Sequence, residues 1–598
     1  MKIKTFDERL KLGNGDYDRL VNSRKPKGID DKKAYIVGTG IAGLATAGFL
    51  IKDAKMDPSK ITFLEKDDIA GGALDGMLLS EVNYVARGGR ETGHHFEVLW
   101  DLFSVVPSRE DPNMSILDDY YYTNLDDPNF SKCRVTKNQG KRYDNGKFNL
   151  SPDVVKEIIQ LLMTPDRKLQ GVSVEEVFSE EFLESDFWTF YRTMFAFENW
   201  HSVLELKLYI NRFIHHVSGL PDLSALQFTR YDQYESLVVP LMKWLKEKGV
   251  KTEYNYNVVD VDFDLTDDKK VAKKIIAVDS KTGEDKSIDL TENDLLFITT
   301  GSIVDSSAYG TNDKAPDLNI NTEEAFKLWK NIAKKSPEFG KPEVFTSDIE
   351  KTNWESATVT VKSKEIADYV EKITMRSPYT GKVVTGGIVT ARDSKWLMSW
   401  TINRQGQYIG QPEDEFVVWV YSLFTNVEGD YIKKPMRECT GEEIAKEWLY
   451  QIGVPEEEIE RLVKETSTIP VFMPYITAQF MPRSFGDRPY VVPKNAVNFA
   501  FLGQFVETLD DPGRDTVFTT EYSGRCAMEA VYVLTGVEKR VPEVFASRYD
   551  VRYLLAGVSA LNDGERPRID IPLDKLAEVA KLIGGTEIED MLKEFNLL

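Results

Sequence analysis

AYIVGTGIAGLATAGFLIKDA, residues 34–54, followed by ITFLE at 61–65, decides the fold. An apolar run of strand character enters Gly38-Thr-Gly40-Ile-Ala-Gly43, a helix-forming stretch follows, and a second strand ends on Glu65. Strand, tight turn, helix and strand within about thirty residues is the βαβ pattern that binds a dinucleotide. Gly38 permits the turn, Gly40 lets a pyrophosphate approach the backbone, and Gly43 lets helix and strand pack closely. The helix N-terminus offers free N–H groups to the phosphates. Glu65 is placed to accept hydrogen bonds from the ribose hydroxyls.

FAD is favoured over NAD. Glu65 leads into KDDIAGGALDG, whose Gly71-Gly72 resembles the second glycine patch of the large FAD families. DLLFITTGS, with Thr300 and Gly301, resembles the strand that returns to a flavin domain, and Gln504 in the Gly503–Phe505 turn is expected near the ring. These pieces are far apart, so the expected fold is α/β: a discontinuous Rossmann-type FAD domain (31–150, 220–310 and 490–548), a mixed α+β substrate-binding cap (151–219 and 311–489) and a helical C-terminal extension (549–598). Residues 1–30 read as an arm. In the extension, Leu573, Leu576, Ala577 and Ala580 form a helical stripe, and Thr586–Glu589 has capping-box spacing.

The chain of 598 residues carries 75 Lys and Arg against 97 Asp and Glu, a formal net charge of −22. That balance argues against a nucleic-acid binder. Three separated cysteines argue against a disulfide scaffold, and four of the five histidines form adjacent pairs that do not readily share a metal, so no metal site is expected. No apolar run is long enough to span a membrane and no signal sequence is read, so a cytoplasmic protein is expected.

The segment YVARGGRETGHHFEVLWDLFSVVPSRE (84–110) widens the reading. With residues 200–241, SWTINRQGQY (399–408) and 498–532, it resembles the fatty acid hydratases, the oleate hydratases once called myosin-cross-reactive antigens. The resemblance runs from about residue 15 to the C-terminus. It implies FAD, net addition of water to a cis double bond of a free unsaturated fatty acid, a homodimer, and peripheral membrane contact. It also implies roles. Glu91 orients or deprotonates the water, Tyr209 gives a proton to the alkene, and Thr401, Asn403 and Gln407 hold the substrate carboxylate. Arg90 touches the flavin or places Glu91.

The chemistry fits those residue types. Protonating an isolated alkene builds carbocation character, so the site needs an acid, a positioned water and a base in a dry channel. Hydroxyl and amide donors suit an anion entering an apolar channel. The competing readings are a structural ion pair of Glu91 with Arg87 or Arg90, and a boundary tyrosine at 209, with Tyr231 and Tyr234 as fallbacks. Gln407 stands where family members have His, which opens hydration at C12 or C13 beside C10. The flavin is expected to shape and charge the site rather than turn over. An FAD-dependent oxidoreductase acting on a lipid is the alternative. The acidic tail favours a helical cap over attraction to anionic lipid, with Arg566 and Arg568 as a local basic pair.

Overall fold

The computed structural model describes residues 23–74, 77–80, 83–89, 91–143, 145–509, 515–566 and 581–598. The Lys33–Val37 strand lies at the centre of a five-stranded parallel sheet. Phe499–Leu502 and Asp294–Thr299 lie on one side, and Ile61–Leu64 and Lys251–Glu253 on the other. A parallel strand covered on both faces needs a nearly continuous apolar run. Ile36, Phe63 and Phe297 share one register row and are each fully buried. The helix Ile41–Lys52 follows the glycine turn and packs with Thr520–Thr535, so residues almost 500 positions apart close one layer.

A separate three-stranded antiparallel sheet is formed by Tyr256–Leu265, Lys270–Asp279 and Asp285–Asp289. The third sheet has eight strands. At its middle lie Thr466–Met473, Trp354–Val361 and Phe416–Ser422, antiparallel to one another, and every residue of the last two is buried. Helices Lys364–Thr374 and Gly441–Gln451 cover it. The second has the capping box Thr440–Glu443 and stops before Gly453.

One boundary needs correction. Val135–Lys137, expected in the 31–150 nucleotide segment, pairs in parallel with Val389–Ala391 and so belongs to the eight-stranded sheet. The buried Arg134 fixes it there by donating to the carbonyls of Ile388, Leu220 and Phe190.

Between the sheets lies a helical block rich in aromatic residues. Ser185 caps Asp186–Phe195, and Ser202 caps Val203–Arg212, by accepting the N–H of Trp188 and of Glu205. Each cap satisfies one orphan donor and is worth about 1 kcal/mol.

In the extension, Val551–Leu561 packs on the 214–219 turn. The capping box expected at Thr586–Glu589 does not form: the Thr586 hydroxyl turns back to the Ile583 carbonyl, while Glu589 accepts from the Gly585 N–H. The stripe at 573–580 and Arg568 lie outside the described residues. Among the described residues, no helix is long and apolar enough to cross a membrane.

Candidate active site

The parallel sheet, the three-stranded sheet and the helical block border a cavity of about 470 Å³, within the usual range for a bound small molecule. One lobe is the glycine turn. Gly38, Gly40, Glu65, Gly72, Thr300, Gly301 and Gln504 all line it, brought together from four separated segments. Gly38 has φ +86°, a left-handed conformation that favours glycine. A Cβ at Gly43 would lie 2.2 Å from the Gly38 carbonyl oxygen. Gly43 and Gly71 stay off the wall. Gly71 bridges to Gly40, and a Cβ there would meet the Tyr234 ring at 3.1 Å. The helix starting at Ile41 has no side-chain cap and no acid in its first turn, so its N–H groups are left for a ligand.

Glu65, in the cavity wall, also bonds to the turn itself. Its Oε2 accepts from the Thr39 N–H at 2.8 Å and the Thr39 hydroxyl at 2.5 Å, and Oε1 accepts from the Asp67 N–H at 3.0 Å. The turn itself supplies the nearest donors. The carboxylate therefore pins the glycine loop while it faces the cavity.

The second lobe is apolar and aromatic. Tyr191, Met194, Phe195, Phe213, Leu220 and Phe518 line it. His216 joins this wall. Burial, then Arg212 and the neighbouring histidines, push it down to about 3, so it is a neutral ring. The paired histidines do come together, with His215 3.9 Å from His216 and 5.3 Å from His95 between ring centroids. Among the described residues no group of three or more metal-ligating side chains is placed to hold an ion.

Glu91 stands at a junction. Besides the large cavity it borders an apolar chamber of about 50 Å³, with Met194, Ala196, Trp419, Tyr421 and Phe518. It also borders a polar pocket of about 20 Å³ that holds Thr401, Asn403, Gln407 and Asp232. Gly89 lines all three spaces, and a Cβ on it would crowd the Glu91 carboxylate at 3.1 Å. The glycines of this turn are what let the carboxylate fold back. Arg90 lies outside the described residues.

Thr401 ends the Met398–Thr401 strand, and Asn403 follows it in irregular backbone. Both still reach the one pocket. The Thr401 hydroxyl is 3.0 Å from that of Thr385, and the Gln407 carbonyl accepts from the Asp232 N–H at 3.1 Å.

Tyr209 is fully buried and lines neither the large cavity nor the two smaller spaces that Glu91 borders. It sits one aromatic ring behind, edge-on to Phe195 and Phe197, both at 5.2 Å. Burial and Glu205 hold its phenol well above the ordinary range. Of the fallbacks, Tyr231 lines a small pocket with Asp232, Asn403 and Gln407, next to the polar pocket that Glu91 borders. Tyr231 donates to Glu110 at 2.8 Å, and Tyr234 packs on Gly71.

Sequence reasoning missed Tyr191 and Tyr421. Tyr421 shares the apolar chamber with Glu91, and its hydroxyl donates to the Thr193 carbonyl. Burial raises its pKa, and the charge on Glu91 adds to the shift. Neither tyrosine belongs to a motif, and only the packing of helix against sheet brings them to the site.

The chain is 45% identical over 592 residues to an oleate hydratase of Streptococcus pyogenes serotype M49 (strain NZ131), covering 98% of this chain and 99% of that protein. It is 29% identical over 540 residues to a linoleate hydratase of Lactiplantibacillus plantarum, covering 84% and 94%. Among solved structures, a cyclohexylamine oxidase from Brevibacterium oxydans IH-35A matches 84% of this chain and 99% of its own, at 10% identity and a TM-score of 0.46, too distant to bear on chemistry. Residues 31–532 match the MCRA family model, and with the near full-length relatives above, the chain belongs to that family.

Proposed function

We propose that the protein is an FAD-dependent hydratase of free unsaturated fatty acids, adding water across a cis double bond to give a hydroxy fatty acid. The observation that carries this reading is the position of Glu91, shared by the glycine-lined cavity, an apolar chamber and a polar pocket. The relatives named for hydration of oleate and linoleate support it.

The residues present fit FAD. A bare helix N-terminus, an open Gly40 and a cavity reaching Gln504 suit a dinucleotide with a ring near Glu91. When bound, FAD supplies shape and charge beside Glu91, and the net reaction moves no electrons.

This chain's own groups do the rest. Glu91 takes a proton from water as the oxygen bonds to one alkene carbon. The phenol of Tyr209 gives a proton to the other carbon, and solvent returns the proton from Glu91 to the phenolate. The high pKa keeps Tyr209 protonated until it is needed, and Phe195 must turn aside for it to reach the chain. Thr401, Asn403 and Gln407 grip the carboxylate, and distance from that grip fixes the hydrated carbon, C10 or C12/C13. The same reading includes a homodimer and peripheral membrane contact. The exposed Tyr549, Val551 and Leu554 on the C-terminal extension support the latter.

Turnover of oleate and linoleate in ¹⁸O-labelled water tests the proposal. One solvent oxygen and one solvent hydrogen per product, with no flavin consumed, is the expected result. An oxidised product with stoichiometric flavin reduction would point instead to a lipid oxidoreductase.

A further inference from the structure

Four of the five histidines gather where the C-terminal extension meets the body of the protein. His94 and His95 follow the Glu91 turn, and His215 and His216 lie in the turn after the Val203–Arg212 helix. The His215 ring centroid is 3.9 Å from that of His216 and 5.3 Å from that of His95. The extension lies against these rings. Phe545 stacks flat on His95 with centroids 3.4 Å apart and meets His215 edge-on at 5.0 Å. Tyr553 meets His215 edge-on at 5.9 Å, and Nδ1 of His215 is 3.1 Å from the Ser547 hydroxyl.

This contact suits neutral rings. Nε2 of His215 is buried and has no hydrogen-bond partner among the described residues. A proton there would make a charged donor with nothing to accept it. Arg212, His216, His95 and His94 act on His215 from the two turns, and the extension offers it a hydroxyl and two aromatic rings. Acids in the surrounding segments are committed to other cations. Glu97 bonds to His95 at 2.9 Å, Asp515 to Arg212 at 2.9 Å, Glu521 to Arg525 at 3.0 Å, and Asp550 of the extension to Arg552 at 2.6 Å. Burial, then His216, Arg212, His95 and His94, push His215 down to about 2. His216, at about 3, is lowered by burial and the same neighbouring charges, and His94 by burial and His95.

We propose that this cluster is an acid-sensitive latch. With its histidines neutral it holds the 545–553 segment of the extension against the turn that carries His216, a wall residue of the large cavity, and protonation releases that segment. Leu561 belongs to the apolar core of the helical block, so the end of the following helix stays in place.

The sign follows from proton binding. Release returns a histidine to water and to its ordinary value of 6.5, so the released form binds protons that the docked form excludes. Docking is fully favoured above about pH 6.5. Below that it weakens by about tenfold per pH unit for each histidine released, until the docked form itself takes up protons near pH 3.

Hydrogen exchange followed by mass spectrometry on the full-length, FAD-loaded protein at pH 7.5 and pH 5.5, corrected for the intrinsic exchange rates, tests the latch. Protection of the 545–553 amides is expected to fall about tenfold from His215 alone, while the Trp354–Val361 strand keeps its protection. His215→Gln cannot titrate but keeps a polar group facing Ser547, and is expected to take about a factor of ten off that fall. His215→Phe, which keeps a flat ring, carries the same expectation if glutamine disturbs the turn. Equal protection of the wild-type segment at the two pH values overturns the proposal. So does an equal loss in the Trp354–Val361 strand, or the full fall persisting in both His215 variants.

Discussion

Arg483 Nε lies 2.7 Å from Oε1 of Glu205, and both side chains are almost completely buried. The same guanidinium reaches Glu507 at 2.9 Å, and Arg488 lies 3.1 Å from Glu205. Glu205 is one turn before Tyr209 on the Val203–Arg212 helix, so this network ties the proposed proton donor to segments near residues 480 and 507. Buried ion pairs are weak evidence for net stability, but breaking one leaves an uncompensated charge. Arg483→Ala is expected to cost about 3–5 kcal/mol, read as a lower midpoint of denaturant unfolding. A midpoint within error of the wild type would show the network to be dispensable.

Glu91→Gln keeps size and packing but cannot accept a proton. Hydration is expected to fall by roughly 10²–10⁴-fold, with FAD affinity nearly unchanged. Tyr209→Phe should lower kcat with little change in KM, since the phenol acts only once Phe195 has moved. Single-turnover product formation checks both. Activity near wild type in either variant removes that residue from the mechanism.

Gly43→Ala places a methyl 2.2 Å from the Gly38 carbonyl oxygen. Backbone must shift at the turn that would hold the pyrophosphate. The variant is expected to bind FAD at least tenfold more weakly, measured by flavin fluorescence on titration. Unchanged binding would move the nucleotide away from this turn.

Asn403→Ala should raise KM for oleate more than it lowers kcat, because a grip on the carboxylate serves ground and transition states alike. Gln407→His restores a side chain able to carry charge. Mass spectrometry of the hydroxylated products from linoleate is expected to show a changed ratio of C10 to C12/C13 products. An unaltered ratio would separate Gln407 from regiochemistry.

Burial pushes the Glu198 carboxyl up to about 7, against the pull of Arg192. Between its ordinary value of 4.5 and that value the folded protein holds a proton the unfolded chain has lost. Stability from this group is therefore full below about pH 4.5 and declines as pH rises to 7, by at most about 3 kcal/mol. Glu198→Gln should flatten that part of the stability–pH curve, measured by urea unfolding at pH 5, 6, 7 and 8. A gap between the two proteins that does not change with pH would contradict it. Glu521, also raised to about 7 by burial, contributes in the same window and is unaltered in the comparison.

The amino-acid sequence by itself determined the βαβ turn, the return strand at 294–299, and the motifs that carry Glu91, Thr401, Asn403 and Gln407. In each case the information is local: glycine where the backbone needs it, an unbroken apolar run where a strand is covered on both faces, polar donors close together in one segment. Only the tertiary structure decided which side chains face which space. Val135–Lys137 joined the eight-stranded sheet because Arg134 anchors it to three distant carbonyls. Glu65 accepts from the Thr39 N–H and hydroxyl as well as lining the cavity. Tyr209 went behind Phe195, while Tyr191, outside every motif, reached the cavity wall. Such choices depend on which residues, hundreds of positions apart, compete for the same volume when the core closes, and no local pattern encodes that competition.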